Sequence, residues 1–179
     1  MHATLADVIA DTAQNSIEAG ASRVEVSLVE DGATVAVRIV DNGKGMDAAT
    51  VQRAFDPFYT EPGKHDKRKV GLGLPILKQI CEATDGAVSL TSAPGRGTTL
   101  AYHFAADHVD LPPMGDLVEM VVMLFNYPGA FELVFRHRKG EEEYEIARSE
   151  LAEAVGGLES VDGLVLAKEF LSSQEESLA

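Results

Sequence analysis

The chain has 179 residues, enough for one well-buried core with a small appendage and too few for two full-sized domains. Hydrophobic residues make up 45% of it, with 16 glycines and no long uncharged apolar run, so the composition is that of an ordinary folded protein without a membrane span. Its 29 acidic and 15 basic side chains give a formal charge of −14, which repels phosphate backbones and anionic lipid and argues against nucleic-acid or membrane partners outside a local basic patch.

The start, Met1-His2-Ala3-Thr4-Leu5, lacks the basic opening and apolar core of a secretory signal, so a cytoplasmic protein is expected. Over residues 4 to 19, Leu5, Val8, Ile9, Thr12 and Ser16 share one helical face, while Asp11, Asn15 and Glu18 share the opposite one. Two alternating strands follow, Val24-Val26-Leu28 and Val35-Val37-Ile39, on either side of the turn dipeptide Asp31-Gly32. The second strand runs into Asp41-Asn42-Gly43-Lys44-Gly45-Met46, after which Asp47 is placed to cap a short helix ending near Phe55. From Asp56 to Lys69 no periodicity is visible, and Pro57, Pro62, Gly63 and the basic run Lys64, His65, Lys67, Arg68 and Lys69 predict a loop.

Gly71-Leu72-Gly73-Leu74-Pro75 opens a third helix with Ile76, Leu77, Ile80, Cys81 and Ala83 toward the core, stopping at Asp85-Gly86. The single cysteine, Cys81, cannot form an internal disulfide and reads as a core residue. Val88 and Leu90, then Leu100, Tyr102 and Phe104, alternate around Ala93-Pro94-Gly95-Arg96-Gly97 as another hairpin, and the whole reads as an α+β sandwich. Beyond Asp107 the character shifts to an apolar helix at about 116 to 125, strands at 130 to 136 and 142 to 147 joined through Lys139-Gly140, and helices near 148 to 155 and 162 to 173. Ser172 to Ala179 read as disordered.

The spacing Asp11-x-x-x-Asn15, then Asp41-x-Gly43-x-Gly45, then Gly71-x-Gly73 resembles the three nucleotide boxes of the gyrase, Hsp90, histidine-kinase and MutL (GHKL) superfamily. Each box alone is weak, and three in order on suitable elements are strong. Gln14 to Ser22 looks like the MutL version of the first box. Phe55-Asp56-Pro57-Phe58-Tyr59-Thr60, Val70 to Pro75 and Ser92 to Thr99 look like bacterial histidine kinases, so the likeness covers about residues 4 to 105.

That resemblance implies a two-layer α/β sandwich of the Bergerat ATP-binding type over 1–107, followed by a small α/β C-terminal extension over 108–179. It implies ATP and Mg²⁺ as ligands. Asn15 is expected to supply an amide oxygen to Mg²⁺, which prefers hard oxygen ligands and keeps several waters. Asp11, one turn earlier, is the expected catalytic base, in place of the glutamate that MutL-like and gyrase-like ATPases carry; it also reads as a plain surface carboxylate. Asp41 is expected to accept a hydrogen bond from the exocyclic amine of adenine, with Gly43 and Gly45 letting the backbone approach the base. Met46 is read either as a soft wall against the ring or as core. Gly71, Leu72 and Gly73 would present backbone N–H groups to the phosphates at a helix start. Lys69 would close the basic loop over them as a lid. Thr98 matches a family position under the adenine with its hydroxyl near Asp41, and equally an ordinary strand threonine. Glu18 is left outside the catalytic set.

The phosphoacceptor hairpin that normally precedes this domain in histidine kinases is not expected here, because the first box begins almost at Met1. His108, with Pro113 five residues on, has the spacing of an acceptor site but not the flanking heptads. The leading expectation is therefore an ATPase or kinase-type module acting on a protein partner, with a homodimer allowed. The alternatives are an ATP-dependent switch without turnover and a serine/threonine kinase of the anti-sigma regulator type. His103, His137 and Glu132 lack ligand-type spacing, and no zinc site is expected.

Overall fold

The computed structural model describes residues 4–57 and 73–178. Helix α1 (Leu5–Glu18) starts on a capping box in which Thr4 Oγ1 accepts from the Asp7 amide at 3.1 Å and Asp7 Oδ2 accepts from the Thr4 amide at 3.0 Å. Such a cap contributes about 1 kcal/mol. The next orphan donors of the first turn, Leu5 N and Ala6 N, are satisfied by the carbonyls of Pro113 and Met114, so the later part of the chain finishes this helix end. Leu5, Val8, Ile9, Thr12 and Ser16 are buried as their spacing predicts, and Asp11, Asn15 and Glu18 are half-buried on the other side.

Strands β1 (Arg23–Glu30) and β2 (Thr34–Asp41) form the first hairpin, where Asp31 Oδ1 accepts from the amides of Ala33 and Thr34 and Gly32 takes φ +86°. Asp47 caps α2 (Ala48–Arg53) by accepting from Thr50 N. Helix α3 (Gly73–Ala83) leads to the second hairpin, β3 (Ala87–Ser92) and β4 (Thr98–Ala105). Leu77 and Cys81 of α3 reach the core, Ile80 packs against it in part, Ile76 is half-buried, and Ala83 is exposed, contrary to expectation, because the helix turns it to solvent as it ends. Burial pushes the Cys81 thiol up to about 12, which keeps it protonated and unreactive.

Helix α4 (Leu117–Phe125) precedes β5 (Glu132–Lys139), β6 (Glu142–Ala147), α5 (Arg148–Val155) and α6 (Val161–Ser177). Strand β5 pairs in parallel with β1 from Arg23 opposite Glu132 to Glu30 opposite Lys139, and β6 pairs antiparallel with β5. The result is one six-stranded sheet in the order β3-β4-β2-β1-β5-β6. Its inner face, including Val26, Ile39, Phe104, Leu133 and Phe135, merges with the helices in one hydrophobic cluster.

Ser172 to Ser177 are helical and Leu178 is 4% exposed, which overturns the expected disorder over 172–178. Leu171 and Leu178, two turns apart, bury the end of α6 on the core. Of the aromatic residues in this region, Phe125, Phe131, Phe135 and Tyr144 are buried, whereas Phe170 stays exposed. Among the described residues no helix is long and apolar enough to cross a membrane.

His137 on β5 ties the late elements to the early ones. Its Nε2 lies 2.9 Å from Glu30 Oε1 on β1 and its Nδ1 lies 3.0 Å from Glu175 Oε1 on α6, which also accepts from the Tyr144 hydroxyl at 2.5 Å. Burial works against charge on the imidazole, but Glu175 and then Glu30 outweigh it and raise the pKa above the ordinary 6.5. Burial likewise opposes charge on Glu175, and the hydrogen bonds from His137 and Tyr144 bring its pKa below 4.5. A raised histidine pKa gives stability that is full below 6.5 and is lost as pH rises through the folded value; a depressed glutamate pKa gives stability that is lost as pH falls through its own. His137→Gln should therefore destabilise the fold by on the order of 3 kcal/mol. In urea titrations across pH, that difference should be largest between 4.5 and 6.5 and shrink above; a pH-independent difference would show that the imidazole is not charged.

Candidate functional site

Asp41 ends β2 opposite Thr98 of β4 and is 6% exposed. Its Oδ1 accepts from Gly43 N at 2.8 Å and Thr98 N at 3.2 Å, and its Oδ2 accepts from the Ser16 hydroxyl at 2.7 Å. A carboxylate offers about four acceptor positions, so three donors fix its orientation and leave capacity for one more. Ser16 stands beside Asn15 on α1, so one helix both braces Asp41 and carries the candidate metal ligand.

The glycines around Asp41 permit contacts that no side chain would tolerate. A Cβ on Gly45, at φ +66°, would lie 1.9 Å from the Ala93 carbonyl oxygen; one on Gly97, at φ +75°, would lie 1.9 Å from the Asp41 carbonyl oxygen. At Gly43 it would come within 2.9 Å of the Ala19 carbonyl oxygen. The two loops are stitched by Lys44 N donating to Ala19 O, Gly95 N to Lys44 O and Met46 N to Ser92 Oγ. Thr98 gives Asp41 its amide, while its hydroxyl lies 2.9 Å from Ser92 Oγ. Met46 is half-buried and lies outside the core cluster, which leaves its side chain for the ring-wall reading.

The first and third boxes meet at the start of α3. A Cβ on Gly73 would lie 2.1 Å from Asp11 Oδ2 and 3.9 Å from Asn15 Nδ2, so a side chain there would require the Asp11 carboxylate to shift, and the helix start stands close to α1. Backbone N–H groups at a helix start favour anions, and both polar side chains border that position. Lys69, Gly71, Leu72 and the basic run from Lys64 lie outside the described residues.

Ser16 and Ser92 escaped the sequence reading, which assigned Ser16 to the core face by spacing alone. Its signal was available: a buried hydroxyl must find a partner, and a hydroxyl facing the sheet end points to Asp41. Glu18 is not a simple solvated charge either, because it accepts from the Tyr127 hydroxyl at 2.7 Å. His108 sits in the non-helical segment before α4, its Nδ1 accepting from Asp110 N. His103 and His137 point to opposite faces of the sheet, and among the described residues no cluster of His, Cys, Asp and Glu could hold a metal unaided.

The profile of the histidine kinase-, DNA gyrase B-, and HSP90-like ATPases matches residues 2–108. The chain belongs to this family. Within it, the sensor histidine kinase YxdK of Bacillus subtilis is 31% identical over 46% of this chain and 26% of its own. The DNA mismatch repair protein MutL of Pediococcus pentosaceus is 35% identical over 51% of this chain and 15% of its own. The chain thus spans about a quarter or less of the length of these relatives. The N-terminal domain of a DNA repair protein superposes with a TM-score of 0.59 at 15% identity, covering 90% of this chain and 58% of that one. That likeness shows a shared fold, and it reaches well past residue 108.

A family ATP site that depends on a fixed Asp41 should feel the loss of its brace. Removing one hydrogen bond of this kind costs about 1 kcal/mol, so Ser16→Ala should raise the ATP dissociation constant about fivefold by calorimetry. Gly97→Ala should abolish binding, because its Cβ would collide with the Asp41 backbone. An unchanged constant in Ser16→Ala would show that Asp41 is held without the hydroxyl.

Proposed function

We propose that this chain is a Mg²⁺-dependent ATP-binding module that hydrolyses ATP slowly, with Asp11 orienting and deprotonating the attacking water. The juxtaposition of Asp11 with Gly73 carries this reading. Aspartate is shorter than the glutamate of the resembled ATPases, and a glycine at the start of α3 brings the expected phosphate position close enough to compensate. Asn15 supplies the hard oxygen ligand that Mg²⁺ accepts alongside phosphate oxygens and water. The ion would offset charge on the γ-phosphate; the protein's part is to hold the base, the ligand and the helix start together. Asp41, Gly43, Gly45, Met46 and Thr98 would hold adenine, while Lys69, Gly71 and Leu72 would hold the phosphates.

A second reading, transfer of the γ-phosphate to a partner protein, is favoured by the sensor kinase YxdK among the relatives. His108 sits in a turn rather than on a helix, which disfavours it as the acceptor. Binding of ATP as a switch without turnover is the limiting case of either reading. A cytoplasmic setting and a homodimer suit all three. The expectation that nucleic acid is avoided, drawn from net charge alone, is not carried forward, since one relative is a DNA mismatch repair protein.

The deciding experiment is phosphate release from Mg²⁺-ATP beside calorimetric binding on one sample. Asp11→Asn should leave binding within about twofold and lower release by about a hundredfold, the usual scale of a positioned base. Normal release in Asp11→Asn would sink the assignment; binding without release in the native chain would favour the kinase or switch reading.

A further inference from the structure

Burial alternates along β1, β2, β4 and β5, so among the described residues one side of the sheet faces the helices and the other has no covering layer. Across the β5–β6 half, charges of opposite sign lace that side together: Arg136 pairs with Glu145, Arg138 stands opposite Glu143, and Arg23 pairs with Glu25 at the end of β1. Cross-strand ion pairs of this kind suit a surface that stays in water. The other half differs. A groove of about 430 Å³ crosses β1, β2, β4 and β3, floored by Ser27, Ala36, Ala87 and Ala101 and bordered by Arg38 and His103.

Among the described residues no carboxylate lines this groove, in a chain with 29 acidic side chains. Register places Arg38 between Ser27 and Ala101, and His103 between Ala36 and Ala87, so each cationic or protonatable side chain rises from small neighbours. Arg38 is exposed, and among the described residues no carboxylate forms an ion pair with it. The groove ends against β1, the strand that also pairs with β5.

We propose that this groove docks an acidic amphipathic helix of a partner protein, its aliphatic side on the alanine and serine floor and its carboxylates on Arg38 and His103. A helix of about 10 Å diameter fits across strands about 4.8 Å apart. Small molecules bind where most of their surface is enclosed, which an open sheet face does not provide. The site is separate from the nucleotide pocket, so its test stands apart from that of the ATPase reading.

The probe is a short synthetic helix with leucines along one side flanked by glutamates, compared with the same helix carrying lysines. Fluorescence anisotropy with the full chain should show binding of the glutamate helix that weakens with salt and falls about tenfold in Arg38→Glu. Arg38→Lys should keep most of that affinity, and ATP binding should stay within about twofold in both variants. The proposal is overturned by a glutamate helix that does not bind, a lysine helix that binds equally well, or indifference to Arg38→Glu. It is overturned too if sedimentation finds an Arg38-dependent dimer, which would make a second copy the occupant.

Discussion

Everything in this molecule leans on α1. Its buried side packs into the sheet, its other side carries Asp11, Asn15 and Glu18, and its first amides are closed by the carbonyls of Pro113 and Met114. A helix start with unsatisfied N–H groups would be costly in a buried setting, so the segment after β4 is part of what keeps the site helix in place. Glu18 repeats the arrangement at the other end through Tyr127. The extension therefore holds both ends of the element that would carry the metal ligand and the base.

That arrangement bears on why a match confined to residues 2–108 understates the structural unit. The parallel pairing of β5 with β1 puts Leu133 and Phe135 beside Val24 and Val26, in the same core as the family's own strands. Truncation near residue 108 would expose Val24, Val26 and Leu28 along an unpaired edge and leave Leu5 N and Ala6 N without acceptors. Stability and site geometry are thus coupled through shared contacts.

What could be read in advance divides along the same physical line. Hairpins announce themselves locally, and Asp31-Gly32, Gly95-Arg96-Gly97 and Lys139-Gly140 each marked one correctly. The second and third boxes were legible through their glycines, later visible in the positive φ of Gly45 and the nearness of Gly73 to Asp11, and the first through the helical spacing of Asp11 and Asn15. The β1–β5 pairing was not legible, since parallel strands far apart in sequence share no turn signal. The end of α6 was misread because its polar run hides two anchors, Leu178 on the core and Glu175 on His137. Ser16 was placed on the right face and given too small a role, because spacing reports burial but not partners.

The charge balance sets a last constraint on the nucleotide. A chain at −14 repels a polyanion, but salt screens that repulsion beyond about 8 Å at physiological ionic strength, so local features decide binding. The described part of the site offers the start of α3 as a positive end, and Asp11 and Asp41 as negative side chains. Asp41 is engaged by three donors; Asp11 stands beside Gly73, where a bound phosphate would add like charge. A carboxylate and a triphosphate can share that position only with a cation between or beside them. If Mg²⁺ supplies that charge, as proposed above, ATP binding should weaken when divalent cation is removed.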